Sequence, residues 1–129
     1  MDPHAEAVAI RETHEEVGLN LEATERLGSL SHLPILPAGG VLAPFVFYLG
    51  AERPAARRNH EVDAVFWVPL EHLWDPLQAT TIRWPYGDQH LVFPGIRWGD
   101  EVIWGLTYRI LVSLAEVLGR PLPSPRAPR

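Results

Sequence analysis

The sequence predicts a mixed α/β or α+β domain, because two long stretches carry helical character and several shorter runs between them are rich in branched and aromatic residues. Punctuation by Gly and Pro separates those runs, as expected of strands joined by turns. With 129 residues, 47% of them hydrophobic and 21% charged, the chain has the length and balance of one ordinary globular domain. A single domain over residues 1–120 is therefore expected, followed by a flexible tail over 121–129, where four prolines oppose regular structure.

The elements follow in order. From His4 to Val17 the residues are strong helix formers, and Gly18 supplies the stop just past the last turn. Arg26 to Leu33, Val41 to Leu49 and Glu61 to Val68 read as strands. Pro37-Ala38-Gly39-Gly40 predicts a loop or hairpin, and Ala51 to Asn59, with Pro54, Arg57 and Arg58, a longer surface loop. Pro69 opens a short helical turn through Trp74. Thr80 to Trp84 and His90 to Trp98 form a further hairpin around Tyr86-Gly87-Asp88, with Pro85 and Pro94 pointing to edge or irregular strands. Ile103, Leu106, Ile110, Leu114 and Val117 recur at helical spacing, and Leu111 and Leu118 widen the stripe. This predicts a final amphipathic helix packed on the sheet and capped by Gly119.

Composition narrows the functional classes. A net charge of -5 argues against a broad basic patch for nucleic acid, and suits carboxylates that hold a cation. Zero cysteines exclude disulfides, thiolate zinc sites and a cysteine nucleophile. No apolar run is long enough for a membrane span and no secretory leader is evident, so a cytoplasmic location is expected.

The chemistry concentrates in Arg11-Glu12-Thr13-His14-Glu15-Glu16-Val17-Gly18-Leu19. At about 100° per residue, Glu12 and Glu16 lie roughly 40° apart and Glu15 about 60° from Glu12, so all three carboxylates leave one side of the helix. Like charges at i,i+4 repel by roughly 0.2–0.5 kcal/mol, and acids in a last helical turn oppose the dipole by about 0.3–1 kcal/mol each. A divalent ion reverses both penalties. Arg11 can pair with Glu15, but one arginine cannot neutralise three acids. An isolated E-x-x-E-E would read as a solvated acidic face; the flanking residues overturn that reading.

The run resembles R-E-U-x-E-E-x-G-U, the core of the Nudix box, with Thr13 in place of the usual aliphatic residue. The resemblance implies a Nudix-like mixed sheet packed between helices, and a hydrolase that uses Mg²⁺ or Mn²⁺ to cleave a nucleoside diphosphate. By position, it makes Glu12 and Glu16 metal ligands, Glu15 a further ligand or the base for the attacking water, and Arg11 the residue that orients the glutamates. The upstream part of the box, G-x5-E, has no counterpart, since Pro3 occupies the position of its glutamate and Asp2 is the nearest acid. The chain is thus expected to lack the N-terminal strands and glycine loop, to be weakly active at best by itself, and to aggregate or pair with another chain, a homodimer included.

Further segments resemble the coenzyme A pyrophosphatase branch of that family. They are Asp2 with Ala9-Ile10-Arg11-Glu12, then Pro44-Phe45-Val46, Glu61-Val62 with Phe66-Trp67-Val68-Pro69-Leu70, and Ile103-Trp104-Gly105-Leu106-Thr107. The branch implies coenzyme A or a derivative as substrate, cut to adenosine 3′,5′-bisphosphate and 4′-phosphopantetheine or its acyl form. A Nudix hydrolase for another nucleoside diphosphate, or an inactive Nudix-like binding module, is the alternative. Arg57, Arg58, Arg83 and Arg97 could meet phosphates, although scattered surface arginines are ordinarily only solvated. Ser29 and Ser31 lack a nucleophile elbow, no phosphate loop occurs, His14 lacks the second histidine of a zinc protease helix, and His60 beside Glu61 reads as a loop residue rather than a ligand. The tryptophans at 67, 74, 84, 98 and 104 are too scattered for a stacking platform and are expected to pack the core and its margins.

Overall fold

The computed structural model describes residues 3–36, 38–51 and 65–125 and has the expected α+β character, with two helices and small sheets. Its chain divides into two compact units, Met1–Trp67 and Val68–Arg129.

In the first unit, α1 spans Pro3–Val17. Glu6 in its first turn meets the positive end of the helix dipole. Gly18 ends it with φ 75°, a left-handed conformation open to glycine, and donates its N–H to the His14 carbonyl at 3.0 Å. The Asn20 side chain then accepts from the Glu22 N–H at 3.1 Å and starts a 3₁₀ turn over Leu21–Ala23, whose Leu21 is buried.

Four short strands follow: β1 (Glu25–Ser29), β2 (Leu33–Pro34), β3 (Val41–Leu42) and β4 (Phe45–Tyr48). β1 pairs antiparallel with β4, and β2 with β3. The hairpin expected around residues 37–40 is present, closed by bonds between Ile35 and Gly40 and between Gly39 and Ile35 at 3.0 and 2.8 Å. The two long strands expected here are each broken in two. Pro44 lacks an N–H and cannot continue the ladder, although its carbonyl still accepts from Leu30 at 3.0 Å. A bulge between Arg26 and Gly28 leaves Leu27 without a partner and 60% exposed.

The third expected strand fails where it is described. Val65 to Val68 carry no regular structure, while residues 61–64, like most of the expected loop at 51–59, lie outside the described residues. Branched side chains favour extended backbone, but a strand also needs a neighbour for its ladder, and Val68 runs straight into Pro69.

The second unit opens with 3₁₀ turns at Leu70–Trp74, as expected, and Pro76–Gln78. Next come β5 (Ala79–Tyr86), β6 (Gln89–Trp98), β7 (Glu101–Trp104) and α2 (Gly105–Val117). The strands form one antiparallel meander in the order β5-β6-β7. Tyr86 opposes Gln89 across a two-residue Gly87-Asp88 turn with Gly87 at φ 61°, which suits the twist of a hairpin. Pro94 is tolerated in the middle strand because β7 reaches only as far as Gly95, so β6 is an edge at that point.

β7 corrects the sequence reading, which counted Ile103 into the last helix. Ile103 opposes Ile96 in the sheet, and the helix begins two residues later, at Gly105. A short apolar run cannot by its own pattern be told from the start of a helix. α2 contacts β6 and β7, and Gly119 caps it as expected, with Gly119 donating to Glu116 and Arg120 to Ala115, both at 3.0 Å. The stripe is less buried than expected. Ala115 is enclosed and Leu114 half-buried, but Val117 and Leu118 are 71% and 54% exposed.

Candidate active site

The site residues all fall on α1, in the first unit. Glu12, Glu15, Glu16 and Arg11 are exposed on its last turns. Arg11 Nε stands 3.9 Å from Glu15 Oε1, the i,i+4 pair expected from spacing, with both side chains about 60% exposed. At that exposure the pair contributes about 0–1 kcal/mol to stability, and its effect is to bias where the carboxylate points.

An ion pair braced by a ring links the helix that presents these groups to its neighbouring strands. Arg26 on β1 reaches Glu6 of α1 at 2.8 Å and lies over the Phe45 ring of β4 at 5.9 Å. Charge and ring contact together tie the β1/β4 ladder to α1. Thr13, which takes the position of an aliphatic residue in the Nudix box, turns its hydroxyl back to the Ala9 carbonyl at 2.8 Å. That bond satisfies the hydroxyl locally, which lets half-buried Thr13 stand in the aliphatic residue's place.

Beside the glutamates lies a cleft of about 390 Å³ that the sequence reading missed, lined by Ala7, Ile10, Arg11, His14, Asn20 and Glu22. Spacing of i, i+3, i+4 and i+7 puts the first four on one face of α1. Only the hairpin-like return of the chain at Gly18 brings Asn20 and Glu22 against that face. Arg11 borders both the cleft and the carboxylates.

Whether these residues suit a metal is a question of donor type and of convergence. Three exposed carboxylates within five positions of one helix are the hard oxygen donors that magnesium takes. Among the described residues, however, no three acidic or histidine side chains gather as a ready-made metal cage. Magnesium does not require one, since it usually keeps several waters and binds through one or two carboxylates and substrate phosphates. The donor set fits that mode. Of the four arginines weighed as phosphate contacts against simple solvation, Arg97 donates to the Thr80 hydroxyl at 3.3 Å, Arg83 is exposed, and Arg57 and Arg58 lie outside the described residues.

Comparison with known proteins agrees with the box. Residues 2–89 match the NUDIX domain family. The chain is 32% identical over 124 residues to an uncharacterised Nudix hydrolase, NudL, of Escherichia coli, covering 92% of this chain and 61% of that protein. It is 31% identical over 126 residues to the chloroplastic Nudix hydrolase 22 of Arabidopsis thaliana, covering 90% of this chain and 40% of that one. A 37% identity over 68 residues relates it to Nudix hydrolase 3 of Caenorhabditis elegans, covering 50% and 28%. The chain thus spans about three fifths of the length of its bacterial relative. With most of its length matched by the domain and its box residues presented together on α1, the chain belongs to the Nudix hydrolase family.

Proposed function

We propose that this chain is the box-bearing part of a metal-dependent Nudix hydrolase that cleaves the diphosphate of a nucleotide, with coenzyme A or a derivative as substrate. The observation that carries the reading is the set of Glu12, Glu15 and Glu16 exposed on one side of the last turns of α1, with Arg11 against Glu15. Their arrangement opposes stability by like-charge repulsion and by the helix dipole, so binding a cation is its physical rationale.

In this reading Glu12 and Glu16 hold Mg²⁺ or Mn²⁺. Bound there, such an ion supplies a Lewis acid that acidifies water and neutralises phosphate charge. Glu15 is a third donor or accepts a proton from the attacking water, and the Arg11 guanidinium sets its direction. The products are adenosine 3′,5′-bisphosphate and 4′-phosphopantetheine or its acyl form. Support for coenzyme A over other nucleotides comes from Pro44-Phe45-Val46, Phe66-Trp67-Val68-Pro69-Leu70 and Ile103-Trp104-Gly105-Leu106-Thr107. The absence of cysteine suits a cytoplasmic location within the same reading.

The test is hydrolysis of coenzyme A with Mg²⁺, followed by product chromatography. Glu12→Gln and Glu16→Gln should each lower the rate by about 10²-fold or more, and Glu15→Gln by about 10²–10⁴-fold if it is the base. Glu116→Gln on α2 should leave it unchanged. Full activity in the first two variants would remove them from the mechanism. ADP-ribose and a dinucleoside polyphosphate, run in parallel, decide the substrate: faster turnover of either sinks the coenzyme A assignment and leaves the reaction type standing.

A further inference from the structure

The tryptophans look scattered in sequence, but the meander of the second unit gathers two of them. Residues of one alternating set share a face of the sheet: Ile82, Trp84 and Tyr86 on β5, Leu91 and Phe93 opposite them on β6, and Trp104 on β7 opposite Gly95. The Trp104 ring lies 5.3 Å from that of Trp84, tilted by 38°, and 5.7 Å from that of Phe93, tilted by 42°. Phe93 and Trp104 are half-buried and act as backing. Trp84, Tyr86 and Leu91 are 52%, 68% and 40% exposed. The Trp84 ring is thus held against Trp104 while much of its surface, and that of Tyr86 on the same face, stays open.

We infer that this face is a stacking platform for a nucleobase. The size of the patch selects the occupant. Large side chains bury about 150–250 Å² each, so the open parts of these three offer on the order of 300 Å². A stable dimer needs about 800 Å² per partner, whereas a single planar base needs far less. Stacking suits the Trp84 ring, whose orientation is already set by Trp104, because little side-chain freedom remains to be lost. Arg97 is on the same face, exposed, with Nη2 donating to Thr80 Oγ1 at 3.3 Å. Thr80 and Trp84 are four residues apart on β5, or about 13 Å, a separation that the ribose and phosphate of a nucleotide span together with the long Arg97 side chain. The base thus lies on Trp84 and Tyr86, with its phosphate turned toward Arg97. The occupant rests on the proposed function, which makes a nucleotide the substrate; the platform rests on the rings alone.

Calorimetric titration of the full 129-residue chain with adenosine 5′-monophosphate, without metal, tests the inference. Binding should be saturable and at least about 10-fold tighter than that of ribose 5-phosphate, which lacks the base. Trp84→Ala and Tyr86→Ala should each weaken it about 10-fold, Trp84→Phe much less, and Arg97→Gln should weaken the monophosphate more than adenosine. Equal binding of ribose 5-phosphate, or an unchanged affinity in both alanine variants, overturns the platform. So does concentration-dependent self-association in sedimentation that disappears in Trp84→Ala, since a second copy would then be the occupant. Glu12→Gln separates the two readings. It should bind the monophosphate as the wild type does, so full hydrolysis in that variant defeats the proposed site while leaving the platform intact.

Discussion

Gly95→Ala is the sharpest probe of how the second unit is built. Gly95 is buried in β6, opposite Trp104 of β7 and Thr80 of β5. A methyl group placed there would lie 2.7 Å from Val102 Cγ1, 2.9 Å from the Ile103 carbonyl oxygen and 3.4 Å from Trp104 Cβ. Carbon atoms prefer about 3.5–4.0 Å, so Val102 must retreat by nearly 1 Å, and the Ile103 oxygen is backbone that cannot turn aside. Overpacking of this kind costs about 1–3 kcal/mol. Replacing a strand glycine returns about 0.5–1 kcal/mol through lower chain entropy in the unfolded state. The net destabilisation should be about 0.5–2 kcal/mol, read by urea unfolding followed by tryptophan fluorescence. Because the nearest clash is with a side chain, Val102→Ala should rescue part of the loss, giving a coupling of at least about 0.5 kcal/mol in a double-mutant cycle. A Gly95→Ala variant as stable as the wild type, or additive effects in the double variant, would refute the idea that β6 and β7 approach this closely.

Other outcomes follow from individual contacts. Burial holds the Tyr108 phenol above its usual value of 10.0. Since the folded value exceeds the unfolded one, this contribution to stability is complete below about pH 10 and is lost as pH rises through the folded value. Tyr108→Phe should therefore lose less stability than the wild type above about pH 10, and identical alkaline profiles would dismiss the effect. Arg120 pairs with both oxygens of Glu71 at 3.0 and 2.8 Å and lies 4.6 Å over the Trp74 ring. Its ion pair is exposed, so Arg120→Ala should cost only about 0.5–1.5 kcal/mol, mostly through the ring contact, with a loss that shrinks little in 1 M salt. Leu114→Ala, half-buried on α2, should cost about 1–2 kcal/mol, below the roughly 2–5 kcal/mol of a fully enclosed leucine; a larger loss would mean that the helix packs more tightly than its exposure indicates.

What could be read from sequence alone was whatever local chemistry decides. The helix ending at Gly18, the Gly87-Asp88 hairpin, the turn opened by Pro69 and the Gly119 cap each depend on a residue whose backbone freedom, or for proline its restriction, acts within a few positions. The glutamate face of α1 was legible for the same reason, because a helix converts spacing directly into direction. Tertiary pairing decided the rest. Ile103 continued an apolar stripe yet became a strand residue, because Ile96 stood ready as its partner in β6. Val65 to Val68 had the residues of a strand and no partner among the described residues. Asn20 and Glu22 reached the α1 cleft only through the reversal at Gly18, and Trp84 and Trp104, 20 positions apart, met only because β6 lay between them. Helix and turn signals are carried within a few residues of chain. Sheet register, clefts and ring clusters depend on segments far apart in sequence, and a linear pattern holds no record of which distant edge supplies the missing hydrogen bonds.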